Sequence, residues 1–135
     1  MFTGILAENV DHYWDEVEPL IQKVLDKTEA NDYYTTDDVL AFIRKGAYQL
    51  WVAFNKEEIE AAFITQLIIY PQCRILDIPM VGGKNIDHWL ETAWETLKDF
   101  GRAKGCKFVR AFGRKGWTKK LEEKPTYSVL WSVKL

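Results

Sequence analysis

Residues 75–117 read ILDIPMVGGKNIDHWLETAWETLKDFGRAKGCKFVRAFGRKGW, and the order of patterns in this stretch decides the fold class. An apolar run through Ile75, Leu76, Ile78 and Met80 predicts a strand. The turn Val81-Gly82-Gly83-Lys84-Asn85 follows, then an amphipathic helix, a Gly105-Cys106 break, a second strand and a Gly113-Arg114-Lys115-Gly116-Trp117 turn. This is a β-loop-α-β unit, the arrangement in which a crossover helix joins two parallel strands. Many folds use it to hold a phosphate-bearing cofactor on the helix N-terminus.

Ile86, Trp89, Leu90, Ala93, Trp94, Leu97 and Phe100 recur at the three- and four-residue spacings of one helical face. Asp87, His88, Glu91, Glu95, Lys98, Asp99 and Arg102 fill the other. Asn85 is the expected N-cap, and Gly105 supplies the left-handed residue that commonly ends a helix. Residues 106–112 then read as a strand of mixed character, suited to the end of a cleft or to a sheet edge.

Working outward, Tyr13, Trp14, Val17, Leu20, Ile21, Val24 and Leu25 predict a first helix, which Pro19 either kinks or starts late. Thr35, Thr36, Asp37 and Asp38 cap a shorter second helix that Gly46 stops. Residues 48–54 and 59–70, rich in β-branched and aromatic side chains, form a hairpin around Asn55-Lys56-Glu57-Glu58, and residues 2–6 suggest a small strand before everything else. Beyond the crossover come a short helix over 117–123, broken at Pro125, and a last strand over 126–134. Antiparallel strands followed by a parallel crossover imply an α/β fold: one mixed central sheet with helices on both faces.

The chain has 135 residues and an apolar fraction of 47%, with six Trp, six Tyr and seven Phe, which suffices for one packed domain over 1–135. It shows no signal-peptide pattern at its start, and no stretch approaches the roughly 20 apolar residues that span a bilayer. A soluble protein in a reducing compartment is expected. Cys73 and Cys106 read as buried free thiols, and neither they nor His12 and His88 have the spacing of a metal site. The net charge of −2 conceals a segregation, because residues 1–70 are predominantly acidic and residues 98–124 predominantly basic. That basic segment is either an ordinary solvated face or a contact for phosphates, nucleic acid or an acidic protein.

In order of elements over nearly its full length the chain resembles the GNAT N-acetyltransferases, and in particular small GNAT-like proteins of tailed bacteriophages. The resemblance rests on Val81-Gly82-Gly83, Trp89-Leu90, Gly105-Cys106, Gly113-Arg114-Lys115-Gly116-Trp117 and the terminal Lys134-Leu135. It implies a fold in which the strand before the central helix splays from its neighbour and offers backbone amides to a thioester. The turn after that strand would wrap the pyrophosphate of acetyl-CoA, so the implied cofactor residues are Met80, Val81, Gly82, Gly83, Lys84 and Asn85. Against the family's Arg/Gln-x-x-Gly-x-Gly/Ala turn, however, Gly82 stands where Arg or Gln is expected, Asn85 where Gly is, and Asp87 where Gly or Ala is. Gly83 matches an optional glycine and Lys84 offers a charge, but Asp87 puts a carboxylate where it repels a pyrophosphate.

The family's general acid is a tyrosine on the short last helix; the corresponding place falls near Leu121, while Tyr127 reads as a strand residue. Asp77 is the candidate general base, weighed against an ion-pair partner at a sheet opening. Three functional readings follow. The first is a GNAT-fold protein of bacteriophage type with a degenerate acetyl-CoA site, acting as a binding or structural component beside other virion proteins. The second is an active acetyl-CoA-dependent N-acetyltransferase acting on a small amine or a protein. The third is an adaptor for nucleic acid or an acidic protein, using Arg110, Arg114, Lys115, Lys119 and Lys120 with Trp117 as an aromatic anchor. The expected location is the cytoplasm of an infected bacterial host or the virion.

Overall fold

The structure, a computed structural model, describes residues 1–111 and Leu121. Five strands, β1 (Phe2–Ile5), β2 (Gln49–Asn55), β3 (Glu58–Ile69), β4 (Arg74–Gly83) and β5 (Cys106–Ala111), lie side by side in the order β1-β2-β3-β4-β5. The first four are antiparallel to their neighbours, and β5 runs parallel to β4. Three α-helices, α1 (Val10–Lys27), α2 (Thr36–Arg44) and α3 (Ile86–Ala103), and two short 3-10 turns, Ala7–Asn9 and Glu29–Asp32, complete the described chain. The mixed α/β sheet, its helix-covered faces and the β4-α3-β5 crossover are those the sequence predicts. The last helix and strand expected over 117–123 and 126–134 lie outside the described residues.

Each sheet face carries its own core. Val10, Val17, Ile21 and Leu25 of α1 and Val39 and Ile43 of α2 pack with Leu50, Val52, Ile64 and Met80 on one side. On the other, Trp89, Leu90, Ala93 and Leu97 of α3 meet Trp51, Phe63, Leu76 and Ile78. Helix α1 begins at Val10 and runs through Pro19 as one 18-residue helix, so Pro19 does not mark a late start. A proline inside a helix costs about 3 kcal/mol; burying four branched side chains of α1 completely, at about 1.5–3 kcal/mol each, outweighs it. The β2–β3 turn is also tighter than the expected four residues, because Asn55 pairs with Glu58 and only Lys56 and Glu57 lie between them. Lys56 takes a positive φ of 59° to make that turn.

Two β-bulges re-aim the strands near α3 and near β5. On β3, Ala61 faces Ala53 and Ile59 faces Phe54, so Glu60 is the extra residue. On β4, Met80 faces Ile64 and Asp77 faces Gln66, so two residues, Ile78 and Pro79, stand opposite Thr65. A proline suits such a place because it has no N–H to give to a ladder. This second bulge also switches parity. Leu76 and Ile78 face α3, whereas Met80 faces α1 and α2.

Candidate functional site

The turn between β4 and α3 is built by close approach of backbone to backbone. A Cβ on Gly82 would lie 2.6 Å from the Leu20 carbonyl oxygen and 2.7 Å from Val24 Cγ2, so α1 requires glycine there. Gly83, at φ +151°, would drive a Cβ into the Glu60 carbonyl and the Ala61 backbone. Both glycines thus serve the packing of β4 itself. The ladder to β3 runs on through Gly82 and Gly83, opposite Ala62 and Ala61, and the next amide, that of Lys84, donates to the Glu60 carbonyl at 2.9 Å. The Lys84 carbonyl in turn accepts the Trp89 indole N–H at 2.7 Å.

Asn85 occupies the N-cap position of α3, but its side chain does not cap. It sits in the left-handed region, φ 56° and ψ 40°, and makes no cap hydrogen bond. Its amide instead donates to Glu60 Oε1 at 2.8 Å, and Asn55 donates to the same oxygen at 3.0 Å. Glu60 therefore joins the β2–β3 hairpin to the start of α3. Hydrogen bonds from Asn55 and then Asn85 hold its carboxyl below the usual glutamate range, against the opposing effect of burial. Lys84 Nζ reaches Glu58 at 2.8 Å, an exposed pair whose hydrogen bond raises the lysine's pKa. Three carboxylates, Glu58, Glu60 and Asp87, thus stand in or beside the turn, with Lys84 as its one basic residue.

The end of β4 next to β5 holds a second polar group. Asp77 is buried, and both its oxygens are engaged: Arg110 Nε donates to Oδ1 at 3.0 Å and Gln66 Nε2 to Oδ2 at 2.8 Å. The three residues are opposite one another across β3, β4 and β5. Arg110 also donates to the Tyr70 hydroxyl at 3.2 Å, which with Asp77 raises its pKa. Arg110 is therefore an ion-pair partner within the sheet as well as a basic residue of the surface. Tyr48 lies on the same face as Asp77; burial, then the neighbouring Tyr34, pushes its phenol far above the usual range and keeps it protonated. Pairing of β4 with β5 ends at Ile78 and Ala111 among the described residues, while β4 continues along β3 to Gly83.

Of the other residues singled out by sequence, Met80 is buried toward α1 and α2, and Val81 is half-buried toward α3. Leu121, where the family places its tyrosine, packs against the α3-side core. Arg114, Lys115, Trp117, Lys119, Lys120 and Tyr127 lie outside the described residues. His88 is exposed, as expected, whereas Cys73 and Cys106 are only half-buried. Glu60 escapes a sequence reading, because Glu58-Ile59-Glu60-Ala61 reads as ordinary strand alternation. Its one signal is the pair of asparagines at the two neighbouring turns.

A pyrophosphate at this turn needs outward-facing amides and a positive field; the Lys84 amide is turned into the sheet and acidic groups surround the helix start.

No protein-family model and no curated protein matches the chain by sequence. Solved structures match it over essentially its whole length. A ribosomal-protein-alanine N-acetyltransferase from Brucella melitensis biovar Abortus 2308 superposes with a TM-score of 0.70 at 9% identity, covering 100% of this chain and 99% of that one. A GCN5-related N-acetyltransferase from Ralstonia eutropha JMP134 gives 0.69 at 11% identity, over 98% and 97%. The aminoglycoside N-acetyltransferase AAC(6')-Iy, in complex with CoA, gives 0.68 at 10% identity, over 99% and 93%. At these identities the likeness is one of fold.

Proposed function

We propose that this GNAT-fold chain works by binding, with its ancestral acetyl-CoA turn closed, as a component of a larger assembly of the kind its phage-like turn motifs suggest. One observation carries the reading: β4 stays zipped to β3 past its last residue, so that the Lys84 amide donates to Glu60 instead of to a ligand. The charges point the same way. The exposed Lys84–Glu58 pair is weak, being screened by solvent, and would not by itself bar a pyrophosphate. Glu60 and Asp87 beside the same helix start would repel it, and the Glu60 carboxylate is held ionised by its two amide donors.

Isothermal titration calorimetry with acetyl-CoA tests this directly. No saturable heat is expected up to millimolar ligand, and binding at micromolar affinity would overturn the reading. The second reading, an acetyl-CoA-dependent N-acetyltransferase, draws on the parallel β4-α3-β5 crossover and on the fold likeness to a CoA-bound enzyme. Mass spectrometry showing an acetyl group moved from acetyl-CoA to an amine by the purified chain would establish it in place of the first.

A further inference from the structure

We propose that the cleft between the β2–β3 hairpin and the start of α3 binds a primary alkylammonium group, seated on the second carboxylate oxygen of Glu60. The cleft encloses about 190 Å³ and is lined by Met1, Phe54, Asn55, Glu60, His88 and Trp89. Glu60 is only 4% exposed, yet it faces this opening.

Both amides that reach Glu60, from Asn55 at 3.0 Å and Asn85 at 2.8 Å, converge on Oε1. Among the described residues Oε2 has no hydrogen-bond partner. No sealed side-chain polar atom lacks a partner in the described residues, so Oε2 opens to the cleft instead of being buried in protein. Two ammonium groups stand near it and neither is bonded to it: Lys84 Nζ pairs with Glu58 at 2.8 Å, and the Met1 α-ammonium at the cleft wall donates to the Phe54 carbonyl at 3.0 Å.

A desolvated carboxylate is stable when it is both hydrogen-bonded and paired with a cation. Two neutral amides satisfy the first condition and leave the second to a ligand. With one oxygen on offer, the geometry favours a point donor, an ammonium, over the two-pronged guanidinium. Phe54 and Trp89 provide aromatic walls for the alkyl stem and for the charge. The volume admits an ammonium head with a few methylenes. The proposal stands apart from the acetyl-CoA question, since it concerns a different ligand of opposite charge.

Titration of the full chain with n-butylammonium chloride and, separately, Nα-acetyl-lysine amide, followed by two-dimensional ¹H–¹⁵N NMR, tests it. Saturable shifts of the Trp89 indole and of the Asn55 and Asn85 side-chain amides are expected with one or both, and not with sodium chloride of equal ionic strength. Tighter binding of butylammonium would identify a free amine as the ligand; tighter binding of the lysine amide would identify a partner's lysine. Glu60→Gln should weaken binding at least tenfold. So should His88→Lys, which hangs a tethered ammonium at the rim from an exposed helix position and keeps the test open if the first variant does not fold. Absence of saturable shifts, or unchanged affinity in the folded variants, would overturn the proposal.

Discussion

At Gly82 the smallest side chain is set by α1, which leaves no space for a methyl group. Gly82→Ala would place its Cβ 2.6 Å from the Leu20 carbonyl, a backbone atom that cannot swing away. We expect a loss of about 1–3 kcal/mol, the usual cost of overpacking, measured as a lower urea midpoint with an unchanged m-value. A stability equal to wild type would show that α1 yields, and that the glycine is kept for something else. Glu60 makes a second prediction at this scale. Because its folded pKa is lowered, the stability it contributes is complete above the pH where an unfolded glutamate ionises, about 4.3, and drains away as pH falls toward the lower folded value. Urea midpoints followed from pH 6 to pH 3 should therefore fall less steeply in Glu60→Gln than in wild type; parallel curves would contradict the assignment. Neither residue's role is legible in sequence. A Gly-Gly pair before a helix reads as a ligand turn, and only the position of α1 reveals Gly82 as a packing residue. Glu60 is re-aimed by a bulge, which breaks the period-two rule by which strand faces are read.

Among the elements, α2 is the one whose ends the sequence announces most clearly. Thr35 accepts the Asp38 amide at 3.2 Å, and Asp38 returns the bond to the Thr35 amide at 2.9 Å, closing a capping box before Val39 and Ile43 enter the core. The Thr35 amide, and then the Thr35 hydroxyl that donates to the same carboxylate oxygen at 3.0 Å, hold the Asp38 carboxyl below its usual range. Thr35→Ala should cost about 1 kcal/mol in chemical denaturation and Thr35→Ser far less. Equal losses in the two variants would mean that the hydroxyl is not what matters. The α3 stripe is equally readable, since Trp89, Leu90, Ala93 and Leu97 are all buried at the expected spacing. Its N-terminus is less so: an asparagine before a helix reads as a cap, but here Glu60 draws the Asn85 amide away and the backbone turns left-handed. Asp77 shows the same limit. Its type and place suggest a base, and only the strand register shows that Gln66 and Arg110 flank it.

For the molecule as a whole, the consequential fact is that two cores share one sheet only a backbone thick. Neighbouring residues of β3 divide between them, Phe63 meeting Trp89 edge-on at 5.2 Å on the α3 side while Ile64 packs toward α1 and α2. Loss of either core would strip one face of β3 and expose a sheet that cannot stand with half its apolar surface in water. The two faces should consequently unfold together. Ile21→Ala, on the α1 side, and Leu97→Ala, on the α3 side, each remove a fully buried side chain and should each cost about 2–5 kcal/mol. Both variants should keep a single transition, with far-ultraviolet circular dichroism and tryptophan fluorescence giving the same midpoint. Trp14 packs against the α1-side core, so a Trp14→Phe background is used to leave Trp51 and Trp89 as reporters of the α3-side core while the helical signal comes from all three α-helices. If Ile21→Ala lost helix at a denaturant concentration that left the fluorescence of Trp51 and Trp89 native, the α1–α2 layer would be an independent unit. The sheet would then be a scaffold for α3 alone.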